Sequence, residues 1–292
     1  MDPKYIDIHS HLQFAAFDND REKVLERALE SELWMINVGT QYDTSLAAVE
    51  LAQNKDGVFA TVGLHPIHTA KSYHDRQELG DGGAEFVSRG EEFNYEAYKK
   101  LALDPKVVGV GECGLDYYRL DGSTSSPQAT FAKQKKIFEE HVRIANEVAK
   151  PLMLHIRNSP EGGSNAYRDA LEIIKSVDPK IRGDVHFFAG AVDDARAFLD
   201  YGFTLSFTGA VTFPKAKKPG QADYEELIRF IPLDMILTET DCPYVAPAPH
   251  RGSRNEPANV RYVVGRIAKI KNLSEDEVAV TLVSNARRVF RL

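Results

Sequence analysis

Eight short β-rich runs alternate with amphipathic helical stretches along the 292 residues, and this alternation admits few architectures. Tyr5–His9, Met35–Val38, Val58–Gly63, Val107–Gly111, Leu152–His155, Val185–Phe188, Thr204–Phe207 and Met235–Glu239 read as strands. Helical periodicity covers Asp20–Ser31, with Val24, Leu25, Ala28 and Leu29 on its apolar face, and then Ser45–Gln53, Asn94–Leu103 and Gln128–Ala149. Tyr167–Ser176, Val192–Tyr201 and Ala222–Ile231 follow, and Pro257–Ile270 and Glu275–Leu282 complete the series. Strands joined through helices form parallel sheets, because a tight turn cannot connect parallel neighbours. Eight such units close into a (β/α)8 TIM barrel of the metal-dependent hydrolase type, an α/β fold. An open doubly wound sheet would carry a Gly-rich phosphate turn after its first strand. Here that strand ends in His9-Ser10-His11.

No polar linker divides the chain, so residues 1–292 read as one barrel domain. Ser72–Gly90 and Arg119–Pro127 read as irregular excursions after the third and fourth strands, where a barrel keeps its working loops; Lys215–Gly220 reads as a solvated basic loop. With 43 acidic and 36 basic residues the formal charge is −7, which excludes a basic coat for nucleic acid but leaves room for a local phosphate site. Cys113 and Cys242 are too few for a disulfide scaffold. No apolar run approaches the length of a membrane span and the first residues lack a signal-peptide pattern, so a cytoplasmic protein without membrane partners is expected.

The polar residues at the ends of the apolar runs carry the chemistry. His9 and His11, two apart, share one face of a strand and can address one ion. Glu112 ends the fourth run and His155 the fifth; His186 lies in the sixth, and Asp241 follows the eighth. In a closed barrel these ends meet at one mouth. Four imidazoles and two carboxylates suffice for two divalent ions if one carboxylate bridges, whereas a structural zinc site needs only four ligands. Two such ions suit phosphoester hydrolysis, with Glu112 or Asp241 holding or relaying a water proton, but the ligands alone equally serve an ester or amide. Arg157, two residues past His155, would match a phosphate, and His65 would touch substrate near the third strand. His68 is a weaker candidate for the same loop, and His74, His141 and His250 read as ordinary. Glu239 reads as a partner for Arg157 or for a ligand histidine, Arg254 and Glu256 as braces, and Asn285 as packing support. Tyr117, Tyr118 and Tyr244 are candidates to stack bases.

The ordered motifs Ile6-Asp7-Ile8-His9-Ser10-His11-Leu12, Val62-Gly63-Leu64-His65-Pro66 and Gly111-Glu112-Cys113-Gly114-Leu115-Asp116-Tyr117 resemble the TatD family of metal-dependent deoxyribonucleases. So do Leu154-His155-Ile156-Arg157, His186-Phe187-Phe188-Ala189-Gly190, Leu237-Thr238-Glu239-Thr240-Asp241-Cys242-Pro243-Tyr244, Arg254-Asn255-Glu256-Pro257 and Asn285-Ala286. The resemblance spans nearly the whole chain. It implies His9, His11 and Asp241 on one ion, His155 and His186 on the other, and Glu112 shared, with His65 and Arg157 near the bound phosphate. It further implies cleavage of DNA phosphodiester bonds, often as a 3′→5′ exonuclease on single-stranded DNA, with RNA as a substrate of some members. Magnesium or manganese would serve activity, and zinc or another transition metal would also bind. It gives Asn255 and Glu256 a structural role in the last βα loop. Ile156 and Phe187-Phe188 depart from the commonest pattern, which leaves the substrate open. A small-molecule phosphoesterase, lactonase or amidohydrolase would use the same binuclear site. A non-catalytic nucleic-acid scaffold would have no use for the full ligand set. A monomer is expected, since one barrel supplies every ligand.

Overall fold

The computed structural model describes residues 2–70, 73–74, 86–87, 90–118, 127–159, 164–214 and 223–292. Apart from a short antiparallel pair, Tyr73–His74 with Phe86–Val87, and Gly90, the Ser72–Gly90 excursion lies outside these residues. The Arg119–Pro127 loop up to residue 126 and the Lys215–Gly220 loop lie outside them too. The main sheet has eight parallel strands in sequential order: β1 (Tyr5–Ser10), β2 (Leu33–Val38), β3 (Val58–Val62), β4 (Val107–Asp116), β5 (Leu152–Arg157), β6 (Gly183–His186), β7 (Thr204–Phe207) and β8 (Ile236–Thr238). Helices α1 (Arg21–Glu30), α2 (Tyr42–Ala52), α3 (Tyr95–Ala102), α4 (Pro127–Glu147), α5 (Ala166–Val177), α6 (Val192–Tyr201) and α7 (Tyr224–Phe230) connect them, followed by α8 (Val260–Lys271) and α9 (Glu275–Phe290). This is a (β/α)8 TIM barrel. Most of the core lies between sheet and helices, where Tyr98, Phe138, Phe198 and Phe207 are fully enclosed.

The seam between β1 and β8 is built differently from the other strand pairs. A single bridge joins Ser10 to Cys242, the Asp241 N–H donates to the His9 carbonyl (2.8 Å), and the His11 N–H donates to the Cys242 carbonyl (2.9 Å). The buried Asp7 carboxyl completes it: Oδ1 accepts the N–H of Thr240 (2.9 Å) and of His9 (3.2 Å), and Oδ2 accepts the Thr240 hydroxyl (2.5 Å). Closure therefore carries Asp241 onto His9 and His11. At the strands' N-terminal ends, α9 packs Ala286 and Phe290 into one cluster with Ile6, Val108, Met153 and Leu237, and Asn285 donates to the carbonyls of Leu233 and Ile236. Asn285 thus supports packing away from the mouth.

Several strand limits differ from the periodicity reading by a residue or two, and two of the differences shape the mouth. β4 continues five residues past Gly111, because Gly111 and Glu112 together face Met153 and form a bulge. Gly111 has φ 151°, and a Cβ there would meet the Met153 carbonyl oxygen at 2.2 Å, so only glycine fits. The bulge turns the Glu112 side chain toward the mouth instead of ending the strand. β6 stops at His186 because Phe187, at φ 45°, leaves extended geometry.

Candidate metal centre

Two histidines and an aspartate meet at the β1–β8 seam. His9 Nε2 and His11 Nε2 lie 3.2 Å apart, and Asp241 Oδ1 lies 3.4 Å from His11 Nε2 and 3.9 Å from His9 Nε2. His11 Nδ1 donates to the Val38 carbonyl (2.7 Å), and a carbonyl only accepts, so the neutral ring keeps its lone pair on Nε2. A tetrahedral ion holds two nitrogen ligands about 3.3 Å apart. The pair is spaced for a shared cation. His9 Nδ1 is buried and finds no hydrogen-bond partner among the described residues.

Glu112 stands at the centre. Oε2 lies 3.4 Å from His9 Nε2, and Oε1 lies 3.1 Å from His155 Nδ1, 3.3 Å from His65 Nε2 and 3.9 Å from His186 Nε2. Burial opposes its charge, yet His65, His9 and His155 together hold the carboxyl well below the usual range. Burial likewise opposes the charge of Asp241, and the His11 contact and the charges of His186 and His9 prevail. Burial lowers His186, but Glu239 outweighs it and takes the imidazole up to about 10. Burial, then the His186 charge, takes His9 down to about 4. Four nitrogens and two carboxylates around shared protons form a donor set that fits divalent cations, whose binding would release those protons.

His65 joins the cluster in another role. Its Nδ1 accepts the Ile67 N–H (3.2 Å), so the neutral ring carries its hydrogen on Nε2, aimed at Glu112 Oε1. It offers a proton inward rather than a lone pair. The preceding residue is held by His141 in α4: Nε2 accepts the Leu64 N–H (2.9 Å) and Nδ1 donates to the Ile137 carbonyl (2.8 Å). His141 is structural, as its helical position suggests. Burial takes its pKa down to about 4. The neutral form is thus favoured in the fold, and the unfolded chain takes up the proton first. The stability linked to His141 is complete above about pH 6.5 and falls as pH drops toward 4, by about 3 kcal/mol. Urea unfolding of the metal-stripped protein should show an acid limb to which the buried His9 also contributes, and His141→Gln should make that limb shallower.

All six expected ligands and His65 therefore converge. Arg157 does not reach them: its side chain is exposed and its guanidinium lies over the Tyr118 ring, 3.7 Å from the centroid. Tyr118 is exposed at the rim and Tyr244 stands edge-on to His11, but Tyr117 is buried with its hydroxyl on Asp169 (2.8 Å), so it cannot stack a base. His68 is buried edge-on against His65, and His250 faces the Tyr262 hydroxyl. Glu239 partners the ligand-side histidine, His186, rather than Arg157. Arg254 grips both oxygens of Asp20 at 2.7 Å, Glu256 pairs with Arg27 at 2.9 Å, and Asn255 donates to the carbonyls of Thr240 and Tyr244, bracing the loop that carries Asp241. Asp116 was not singled out by the sequence reading. Its Oδ2 lies 2.9 Å from His155 Nε2, and its place in the Gly111–Tyr117 motif was the available signal.

Residues 6–291 match the family model for TatD related DNase. The chain is 34% identical over 288 residues to the uncharacterized metal-dependent hydrolase YabD of Bacillus subtilis, covering 98% of each. It is 30% identical to the uncharacterized metal-dependent hydrolase YcfH of Escherichia coli, over 98% of this chain and 96% of that one. Among solved structures, the TatD homologue YjjV of Escherichia coli superposes over both whole chains with a TM-score of 0.78 at 27% identity. A TatD family hydrolase of Entamoeba histolytica gives 0.76 at 21%, over 99% of each chain. No helix among the described residues is long and apolar enough to cross a membrane. With the barrel, the convergent donor set and these relatives in agreement, the chain belongs to the TatD family of metal-dependent hydrolases.

Proposed function

We propose that this protein is a deoxyribonuclease that cleaves phosphodiester bonds of single-stranded DNA from the 3′ end, acting as a monomeric, cytoplasmic, single-domain barrel. The observation that carries the two-metal reading is the position of Glu112, within 3.1–3.9 Å of four imidazoles from four different strand ends. His9, His11 and Asp241 would hold one ion, His155 and His186 a second, and Glu112 would stand between them. Bound divalent ions, Mg²⁺ or Mn²⁺ in activity, would supply the Lewis acidity that makes water a nucleophile at neutral pH. The DNA substrate is supported by the family description, by the inward Nε2–H of His65, and by the exposed Arg157–Tyr118 stack at the rim.

In this reading His65 donates its Nε2 hydrogen to a phosphate oxygen, and Asp241 takes the proton of the attacking water on its carboxylate. Arg157 leaves Tyr118 to grip a non-bridging oxygen with its planar donors. Glu112 keeps the two halves of the site in register. The test is release of mononucleotides from single-stranded DNA with Mn²⁺ or Mg²⁺ added to metal-stripped protein. Activity should vanish with chelator and return with the ion. Failure to cut DNA or RNA, with turnover of a small phosphodiester or lactone, would replace this reading by the small-molecule one. Arg157→Ala is expected to raise KM for DNA about tenfold, or about 1.4 kcal/mol, with kcat nearly unchanged.

A further inference from the structure

His155 and His186 are each backed by a buried carboxylate that the proposed chemistry does not use. Asp116 has its Oδ1 anchored by the Tyr118 N–H (2.9 Å), and its Oδ2 faces His155 Nε2 (2.9 Å). Its backbone is pinned by Gln134 of α4, whose Oε1 accepts the Asp116 N–H (3.0 Å) and whose Nε2 donates to the Asp116 carbonyl (3.1 Å). Glu239 has its Oε1 anchored by the Phe187 N–H (2.7 Å), and its Oε2 lies 2.8 Å from His186 Nδ1. The Ser206 hydroxyl also touches that Oε2 (2.9 Å) and lies 2.6 Å from Asp184 Oδ2. Asp116 and Glu239 are almost wholly buried. No carboxylate backs the first pair in this way among the described residues: His11 leans on the neutral Val38 carbonyl and His9 Nδ1 has no hydrogen-bond partner, while His186 Nδ1 has Glu239 Oε2 at 2.8 Å as an ion pair outside ideal hydrogen-bond geometry.

We propose that Asp116 and Glu239 are positioning residues that fix the hydrogens of His155 on Nε2 and of His186 on Nδ1, so that Nδ1 of His155 and Nε2 of His186 present lone pairs on the Glu112 side. The assignment rests on the reading of both histidines as ligands. A carboxylate behind an imidazole selects the tautomer, locks the ring and raises its basicity as a ligand. Each anchoring N–H leaves its carboxylate one oxygen for the ring, so neither acid can turn away without losing a buried hydrogen bond. Opposite nitrogens face inward because the acids approach from opposite ends of the two rings.

The test combines Mn²⁺ titration of the metal-stripped full chain by calorimetry with long-range ¹H–¹⁵N spectra of its imidazoles without metal, recorded above about pH 10 where both rings are neutral and a tautomer is defined. Wild type should bind two ions. Asp116→Asn and Glu239→Gln should each weaken one of them by about 10–100-fold and leave the other nearly unchanged. An asparagine amide facing His155 Nε2 should also move that ring's hydrogen to Nδ1 in the metal-free spectra. Ser206→Ala removes one anchor of Glu239 while keeping its charge, and it should give an intermediate loss, which covers the case of a misfolded Glu239→Gln. Wild-type Mn²⁺ affinity with unchanged tautomers in both variants would overturn the assignment. A wild type that binds no ion would instead sink the metal reading, while the tautomer spectra would still judge Asp116 and Glu239.

Discussion

Glutamine in place of Glu112 is expected to reduce the proposed DNA hydrolysis by about a thousandfold or more, a loss of about 4 kcal/mol in transition-state stabilisation. The substitution keeps shape and removes charge at the point where His9, His65, His155 and His186 converge. A glutamine amide would also turn donor hydrogens toward nitrogens that must offer lone pairs, so both halves of the site lose affinity together. Two measurements separate this from unfolding. Mn²⁺ titration should show loss at both positions, and the metal-free protein should keep a cooperative urea transition at a lowered midpoint, because the histidines hold the Glu112 carboxyl well below the usual range and the stability linked to that charge is lost with it. Retention of two tightly bound ions by Glu112→Gln would remove Glu112 from the bridging position. Loss of a single ion would place it on one metal only.

The convergence of these side chains was legible because strand periodicity and barrel closure act on local sequence. A polar residue at the end of an apolar run has one place to go in a parallel barrel, and His9, His155, His186 and Asp241 follow that rule. Glu112 reached the same mouth by another route, a two-for-one bulge at Gly111 that only strand pairing reveals. Asp116 was hidden for that reason: the bulge carries β4 past its apparent end, and its histidine lies 39 positions away on β5. Glu239 was legible as a partner but not which partner, since two residues of offset from Asp241 do not specify a neighbour on β6. Arg157 shows the limit of alternation. Its backbone continues β5, but a long side chain at the rim is free to choose, and here it lies on the Tyr118 ring.

Asp7→Ala should be the most destabilising single change at the seam, by roughly 3–5 kcal/mol in urea unfolding, because it orphans buried donors rather than merely removing a contact. The N–H groups of His9 and Thr240 and the Thr240 hydroxyl all end on this carboxyl, and among the described residues the β1–β8 seam is otherwise held by the backbone bonds around the Ser10–Cys242 bridge, Asp241 N–H to His9 and His11 N–H to Cys242. Loosening the seam separates Asp241 from His9 and His11, so Mn²⁺ affinity should fall together with stability. Asp7→Asn distinguishes shape from charge. Burial pushes the Asp7 carboxyl up to about 8 despite the hydrogen bonds from Thr240 and His9. A raised folded pKa means that the folded chain holds the proton longer than the unfolded one. The stability linked to this group is therefore full below about pH 4 and is lost as pH rises toward 8. In metal-stripped protein, Asp7→Asn should retain closure, cost about 1 kcal/mol at pH 4, and show a shallower decline from pH 4 to 8 than wild type, the buried Asp184 keeping its own share. An asparagine variant with the wild-type slope would mean that Asp7 is ionised in the fold, with its charge balanced across the seam by groups other than Thr240.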